Sequence, residues 1–243
     1  MIAAAIDCER RVFEDRYHMT AEEMARDYGP YDEVSLWLTV HEPDGRVIAG
    51  SRLIPPNSLG QKSLDDVSRP PWRLDASASL QAAGLTSTRT WDVATLFRDR
   101  HARHSGMHVT AALCYAIIQT IRHNGGNALV AVLDSVAREM LDRFFALRVR
   151  MLPGATRQMF MNTPNDPTFA FLSEMLEHSR RVNPEGHRMY ALGSGIHGVE
   201  LPAPPAFARG IGGAGRPSGV IDLRGGDEEA LTMHRPGGYD ATT

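Results

Sequence analysis

The chain has 243 residues, of which 42% are hydrophobic and 23% are charged, and its formal net charge at pH 7 is −3. This composition is typical of a globular protein, and the slight acidity gives no electrostatic reason to expect nucleic acid as the main partner. No apolar run approaches the ~20 residues that span a bilayer, and we see no signal peptide, so we expect a cytoplasmic protein without a membrane span. The two cysteines have apolar neighbours in helical patterns, which predicts buried free thiols.

The first third of the chain predicts two helices followed by a β-hairpin. Residues 3–26 form the two helical segments, and Thr20 with Glu23 makes a capping box that starts the second. Residues 33–40 and 46–54 alternate between apolar and polar side chains around a turn, which predicts an antiparallel pair of strands. Residues 57–87 are polar and predict a long loop with short helical turns.

Strands and helices then alternate as far as residue 180. We predict strands at 90–97, 128–133, 148–152 and 157–162, and helices that begin after Gly106, at residue 136 with Ser135 as the N-cap, and at Asp166-Pro167. From Pro202 onward the chain is rich in Gly, Pro and Ala and has few large apolar residues. Such a segment cannot bury enough surface to order itself, so we expect it to be flexible or draped on the body.

The loop before the helix that follows Gly106 combines a basic group with a helix start. Arg103-His104-Ser105-Gly106-Met107-His108 reads RxxGxH between a predicted strand and a predicted helix. This segment resembles the phosphate loop R/Q-x-x-G-x-G/A of the Gcn5-related N-acetyltransferases, except that His108 replaces the last small residue. The resemblance implies that Arg103 and the amides of Gly106, Met107 and His108 hold the phosphate of an acyl donor. An ordinary basic loop that caps a helix is the alternative.

Within that superfamily, residues 9–163 resemble the autoinducer (acyl-homoserine-lactone) synthases. Four segments carry the resemblance, and they are 11–16 (RVFEDR), 27–32 with Asp27 and Asp32, 50–53 (GSRL) and 91–93 (WDV). The order of elements also agrees with that family. The resemblance implies an α/β fold with a mixed, largely antiparallel central sheet flanked by helices. We therefore predict an acyltransferase-like domain at residues 1–200 and a Gly/Pro-rich flexible tail at 201–243.

The resemblance also implies a reaction, which is acyl transfer from a thioester to the amine of S-adenosylmethionine with closure of a lactone. The donor would be a thioester of acyl carrier protein or coenzyme A, and the product an autoinducer of quorum sensing. The chain departs from the family at Glu9, at Asp92 in place of glutamate, and at Ala94-Thr95 in place of Ser-Arg. Two alternatives are therefore open: an acyltransferase acting on another amine or using S-adenosylmethionine differently, and an inactive ligand-binding homologue.

Candidate site residues follow from this chemistry. Asp92 is the predicted base, because a carboxylate in mid-sheet is costly unless it is used or paired. Arg52 and Asp32 would orient the acceptor, although an Asp92–Arg52 ion pair of purely structural role is an alternative. Asp27 and Asp32 would accompany the sulfonium of S-adenosylmethionine. The other substrate-binding candidates are Arg11, Phe13, Trp37, Trp91 and Thr95, of which the two tryptophans are alternatively core residues.

Other chemistries find little support in the sequence. His101, His104 and His108 are spaced like residues on one helix face, but two of them lie in the loop and lack a regularly spaced Cys, Asp or Glu partner. We therefore expect no metal site. Neither cysteine lies in an electropositive exposed segment, and no GxSxG motif accompanies the serines, so a nucleophilic triad is not expected.

Overall fold

The computed structural model describes residues 2–102, 106–203, 207 and 220–225. Its helices are α1 (Ile2–Tyr17), α2 (Ala21–Tyr28), a 3-10 helix (Gly29–Val34), α3 (Lys62–Val67), α4 (Ala76–Ala83), α5 (Gly106–His123), α6 (Ser135–Phe145), α7 (Leu172–Val182) and α8 (Pro184–Leu192). Its strands are β1 (Leu36–His41), β2 (Val47–Ile54), β3 (Thr90–Arg98), β4 (Ala128–Asp134), β5 (Arg150–Met151), β6 (Gln158–Phe160), β7 (Thr163–Phe171), β8 (Val199–Glu200) and β9 (Val220–Gly225).

The described strands form one sheet in the order β5-β7-β4-β3-β2-β1-β9-β8, and β6 pairs with β7. The pairs β3–β4 and β1–β9 are parallel, and the others are antiparallel. The predicted mixed, largely antiparallel sheet flanked by helices is confirmed. The predicted hairpin is also present, as β1 and β2.

Helices cover both faces of the sheet, which is why β1 and β2 are buried along their whole length. Leu36 and Leu38 pack with α5 in the largest apolar cluster, whereas Trp37 between them packs with α1 and α2 on the opposite face. This alternation is the two-residue period of a strand. A third cluster at the α3–α4 end joins Trp72 to Phe169 of β7. None of the helices in the described part of the chain is long and apolar enough to cross a membrane.

The central strands β3 and β4 separate after a short parallel contact. Their pairing runs from Thr90 opposite Ala128 to Asp92 opposite Val130. Beyond Asp92, β3 continues beside β2 alone, and a register shift there leaves Ala94 without a partner between Val93 and Thr95. The backbone groups on the β4-facing edge of β3 are therefore open beyond Asp92, and the sheet has a gap at its centre.

Two predicted helix starts were wrong. The N-cap of α6 is Asp134, whose Oδ1 accepts from the amides of Val136 at 2.8 Å and Ala137 at 3.4 Å. A carboxylate caps well because it meets the unpaired amides of the first turn. Ser135 is the first helical residue, and its hydroxyl donates to Pro164 O at 2.7 Å.

The second wrong start is Asp166-Pro167, which lies inside β7 and does not open a helix; α7 begins at Leu172. Asp166 is almost fully buried, and it satisfies its oxygens with Arg138 at 2.9 Å and Arg157 at 2.8 Å instead of with helix amides. Proline has no N–H to donate, and the Pro167 carbonyl accepts from Leu152 N, beside the short strand β5, at 2.9 Å.

The predicted flexible tail contains structure. Residues 220–225 form β9, which extends the sheet beside β1, and Ile221 and Leu223 are buried against the main core. Phe207 is also fully buried, with its ring edge-on to Tyr115 at 5.7 Å. The prediction missed this strand because a few alternating apolar residues become ordered when a sheet edge is available to pair with them. A domain boundary at residue 200 stays a prediction, and β9 argues against it.

Candidate active site

Asp92 lies at the point where β3 and β4 separate, and its carboxylate is fully buried. Ser63, the second residue of α3, binds both carboxylate oxygens. The Ser63 amide donates to Oδ2 at 2.8 Å, and the Ser63 hydroxyl donates to Oδ1 at 2.6 Å. These two bonds hold the carboxylate in one orientation against the first turn of α3.

Burial raises the pKa of Asp92 to about 7, although the two hydrogen bonds from Ser63 lower it. The neighbouring Asp66 also raises this pKa, and Lys62 lowers it. A carboxyl group with a pKa near 7 is divided between its acid and base forms at neutral pH. Asp92 is therefore suited to take up and release a proton there, as the sequence predicted for a general base.

A small cavity of 60 Å³ adjoins Asp92 at the gap between the strands. Ser63 and Thr95 line it, together with Asp66, which is paired to Lys62 Nζ at 2.5 Å. Asp92 itself is not among the lining residues. Among the lining residues, Ser63 is the one with described hydrogen bonds to the carboxylate.

A large cleft of 460 Å³ adjoins the small cavity and runs between α1, the end of β3, α5 and α6. Phe13 and Leu96 line both spaces. Most of the cleft wall is apolar, and Met107, Val136 and Phe144 are exposed at its surface. This volume and this wall suit a largely apolar molecule that ends at the small cavity.

A separate apolar cavity of 60 Å³ lies on the other side of Leu96, between the separated strands and helices α5, α6 and α7. It is lined by aliphatic side chains with Cys114 and Met175. Val93 and Leu96 therefore face a space that has no polar wall. An alkyl chain is the kind of group that this cavity could hold.

The N-terminus of α5 opens on the large cleft. Gly106 and Met107 line it, and the amides of this first turn have no acceptor within the helix. The Arg98 guanidinium can approach the helix start closely because residue 106 is glycine; a Cβ there would lie 2.8 Å from Cζ of Arg98. The helix start and the Arg98 guanidinium thus form one positive region. His108 does not line the cleft, and its ring contacts that of His197 at 5.3 Å.

Arg103, the other predicted phosphate ligand, lies outside the described residues. A fourth space, of 340 Å³ and beside the large cleft, is nevertheless rich in arginine. We call it the arginine cavity, and its basic residues are Arg11, Arg16, Arg98 and Arg100. Asp15 and Asp99 share its wall, and Asp15 binds Arg100 at 2.8 Å. Arg11 therefore lies at this charged surface and not beside Asp92.

Arg52 is held in a buried network, and the alternative Asp92–Arg52 ion pair is not formed. The guanidinium donates to Glu9 at 2.8 Å and 3.3 Å, and to Asp32 at 2.6 Å. It also donates to Tyr28 O at 3.1 Å and stacks on the Trp37 ring at 4.3 Å. Arg52 is 1% exposed, so its guanidinium has no free face for a substrate.

The other candidates are distributed around this network. Thr95 lines the small cavity and donates its hydroxyl to Glu9 at 2.6 Å. Asp27 pairs with Arg26 at 2.9 Å and does not line the small cavity. Trp91 is a core residue, packed against Gly126 at the end of the α5–β4 loop. The structure thus brings Phe13 and Thr95 to the cavity beside Asp92, and places Trp37 and Trp91 in the core.

No metal site is found among the described residues, whose His, Cys, Asp and Glu side chains form no group of three or more. Both cysteines are free and buried. Burial raises the pKa of Cys8 to about 11 and that of Cys114 to about 12, so neither is a thiolate at neutral pH. His104 lies outside the described residues.

Sequence reasoning missed three residues that the structure places at or behind the site. Ser63 lies in the segment predicted as a long loop, and no local pattern marks a serine that will meet a strand 29 positions away. Glu9 was noted only as a departure from a family pattern, yet it is the main partner of Arg52. Arg98 could have been noticed as a basic residue at the end of the strand that leads to the predicted phosphate loop.

Comparison with known proteins supports the fold. The sequence matches no family model and no curated protein. FeeM, an N-acyl amino acid synthase from uncultured soil microbes, superposes with a TM-score of 0.53 at 12% identity, over 71% of this chain and 93% of that one. At this identity the likeness shows a common fold.

Two further structures match with lower TM-scores. An acetyltransferase of the GNAT family from Desulfovibrio desulfuricans has a TM-score of 0.42 at 15% identity, over 69% of this chain and 92% of its own. BjaI, a CoA-dependent acyl-homoserine lactone synthase determined with MTA, has a TM-score of 0.41 at 15% identity, over 72% of this chain and 82% of its own. The predicted fold class, a mixed sheet flanked by helices, agrees with the superposition on FeeM.

Proposed function

We propose that this protein is an N-acyltransferase, which moves an acyl group from a thioester to an amine. One observation carries the proposal: the central strands separate directly beyond Asp92, a buried carboxylate whose pKa of about 7 fits a base. The large cleft and the small cavity meet at this gap. A donor in one and an acceptor in the other would therefore meet beside the base. The fold shared with FeeM supports this proposal.

The proposed donor is a thioester of coenzyme A or acyl carrier protein. Its pantetheine arm would lie in the large cleft, and its phosphate would meet the amides of Gly106 and Met107 with Arg98. The basic residues of the arginine cavity lie beside that end of the cleft. The acyl chain would enter the apolar cavity beyond Leu96. Arg103 stays a predicted phosphate ligand.

In the proposed reaction, the amine nitrogen attacks the carbonyl carbon of the thioester. A C–N bond forms, the C–S bond breaks, and the electron pair of that bond leaves on sulfur as a thiolate. The nitrogen loses a proton, for which Asp92 is the base. Backbone N–H groups on the open edge of β3 beyond Asp92 are the donors available to the carbonyl oxygen as it gains negative charge.

Two acceptors fit the proposal. The sequence resemblance favours S-adenosylmethionine, with closure of a lactone after acyl transfer. An amino acid is the second, and it has no sulfonium that would need a free carboxylate. Asp27 and Asp32, predicted to accompany the sulfonium, are already paired with Arg26 at 2.9 Å and Arg52 at 2.6 Å. Because a sulfonium gains little from carboxylates that are already neutralised, we expect broader use of amines.

The test is an acyl-transfer assay with purified protein. Acyl-coenzyme A or acyl carrier protein is mixed with S-adenosylmethionine or an amino-acid mixture, and free thiol is followed together with the mass of the acylated product. Release of methylthioadenosine with an acyl lactone identifies the first acceptor, and an N-acyl amino acid identifies the second. Thioester cleavage without an acylated amine, or no thiol release with either donor, would contradict the proposal. Asp92→Asn is the control variant.

A further inference from the structure

Ser63 lines the small cavity and also hydrogen-bonds the proposed base. Asp92 is 0% exposed and does not line the cavity, whereas Ser63 does. Ser63 donates a hydrogen bond to each oxygen of the Asp92 carboxylate, from its amide at 2.8 Å and from its hydroxyl at 2.6 Å. The Ser63 hydroxyl is therefore the described contact that links a residue of the cavity wall to the carboxylate.

We propose that Ser63 is a catalytic proton relay, which accepts the proton of the acceptor amine on Oγ and passes its own hydroxyl proton to Oδ1 of Asp92. This inference rests on the proposed function and adds a residue to it. As the C–N bond forms, the nitrogen loses one proton and Asp92 gains one. The C–S bond breaks with its electron pair on sulfur, and the thiolate takes up a proton from solvent. Asp92 later returns its proton along the same path.

The geometry suits a relay because the two bonds have different roles. The Ser63 amide is fixed in the backbone of α3, so its bond to Oδ2 orients the carboxylate. The hydroxyl can rotate, and a serine oxygen that donates one hydrogen bond can accept another at the same time. The Ser63 hydroxyl can therefore receive a proton from a molecule on one side and donate its own proton to Asp92 on the other.

Charged groups around Asp92 set the pH range in which the relay can work. Lys62 and Asp66 of α3 act on its pKa in opposite directions, Lys62 lowering it and Asp66 raising it. Tyr28 and Tyr31 also face this carboxylate, and burial raises the pKa of both phenols, so they stay neutral. The hydroxyl bond from Ser63 itself lowers the pKa of Asp92. Its removal should move the pH profile toward higher pH.

The test compares Ser63→Ala, which removes the hydroxyl, with Ser63→Thr, which keeps one. Ser68→Ala is the matched control, since Ser68 follows the same helix and its hydroxyl binds Leu64 O at 2.8 Å, away from Asp92. Ser63→Ala should lower kcat by about 100-fold or more, the usual contribution of acid–base catalysis, with KM for both substrates changed less than about threefold. Ser63→Thr should keep kcat within about tenfold of the wild type, and Ser68→Ala should match it.

A second measurement reads the carboxylate directly. Carboxyl infrared spectra of the wild type and Ser63→Ala, each minus the spectrum of the same chain with Asp92→Asn, give the pKa of Asp92 without turnover. The pKa should rise in Ser63→Ala. An unchanged pKa would show that the hydroxyl does not act on Asp92 and would overturn the relay.

The kinetic outcomes separate this inference from the proposed function. Ser63→Ala with kcat within about threefold of the wild type, beside an inactive Asp92→Asn, would overturn the relay and leave the base in place. Equal losses in Ser63→Ala and Ser63→Thr, with unchanged melting temperatures, would also overturn it, because the hydroxyl would then not matter. A wild type that transfers no acyl group to any amine would overturn both.

Discussion

The Arg52 network makes a sharp prediction about stability. Glu9→Gln keeps the shape of the side chain but removes its charge, and so leaves a guanidinium that is 1% exposed with a single carboxylate partner, Asp32. Breaking a buried ion pair costs about 3–5 kcal/mol. Because Asp32 at 2.6 Å and the Trp37 ring at 4.3 Å remain, we expect the lower end, about 3 kcal/mol. For a chain of this length that corresponds to a fall in melting temperature of about 6–12 °C.

Asp32→Asn is the comparison, since this side chain is 42% exposed and solvent screens its pair with Arg52. It should cost about 1 kcal/mol or less. Thermal and urea unfolding of the wild type and both variants measure the difference. A loss below about 1 kcal/mol for Glu9→Gln, or a larger loss for Asp32→Asn, would refute the reasoning that Glu9 is the principal counter-ion of Arg52.

Three further predictions concern the base, the α5 start and the tail. Burial raises the pKa of Asp92 from its ordinary 3.8 to about 7, so the folded wild type should lose stability relative to Asp92→Asn as pH rises from about 4 to 7. Urea unfolding of both proteins across that pH range measures the difference in stability, and a difference that does not change with pH would contradict the prediction. Gly106→Ala should displace the Arg98 guanidinium and weaken donor binding by calorimetry with little change in melting temperature, and unchanged affinity would contradict that role. Leu223→Ala should cost about 2–3 kcal/mol in unfolding, because the side chain is 0% exposed, whereas a flexible tail would show no loss.

Local patterns in the sequence were enough for most of the fold. The capping box at Thr20 and Glu23 forms as predicted, with the Thr20 amide 2.8 Å from the Glu23 carboxylate, because both partners lie within one helical turn. The alternating segments became β1 and β2 for a similar reason. Asp166-Pro167 failed as a helix start because two arginines from other segments supply the partners that a helix would otherwise provide. Tertiary contacts there override the local signal.

The sequence predicted the central residue of the site but not the residues that hold it in place. Asp92 could be proposed because an acidic residue within an apolar strand demands a partner or a function. Its actual partner, Ser63, could not, since the contact depends on how α3 folds back on β3. The same holds for Arg52, whose partners Glu9 and Asp32 come from two other elements. Strand β9 forms because it pairs with the edge of β1, and its short apolar pattern alone does not predict that pairing.

The most direct test of the account is the rate of thiol release from an acyl thioester in the presence of an amine acceptor, compared between the wild type and Asp92→Asn. The amide keeps the shape of the carboxyl group, and its oxygen can still accept one of the two Ser63 hydrogen bonds, but it cannot take up the proton. We expect acceptor-dependent thiol release with an N-acylated product in the wild type, with an apparent pKa near 7, and a loss of about 100-fold or more in kcat with retained donor binding in the variant. Equal rates in the two proteins, or thiol release that does not depend on an amine, would contradict it.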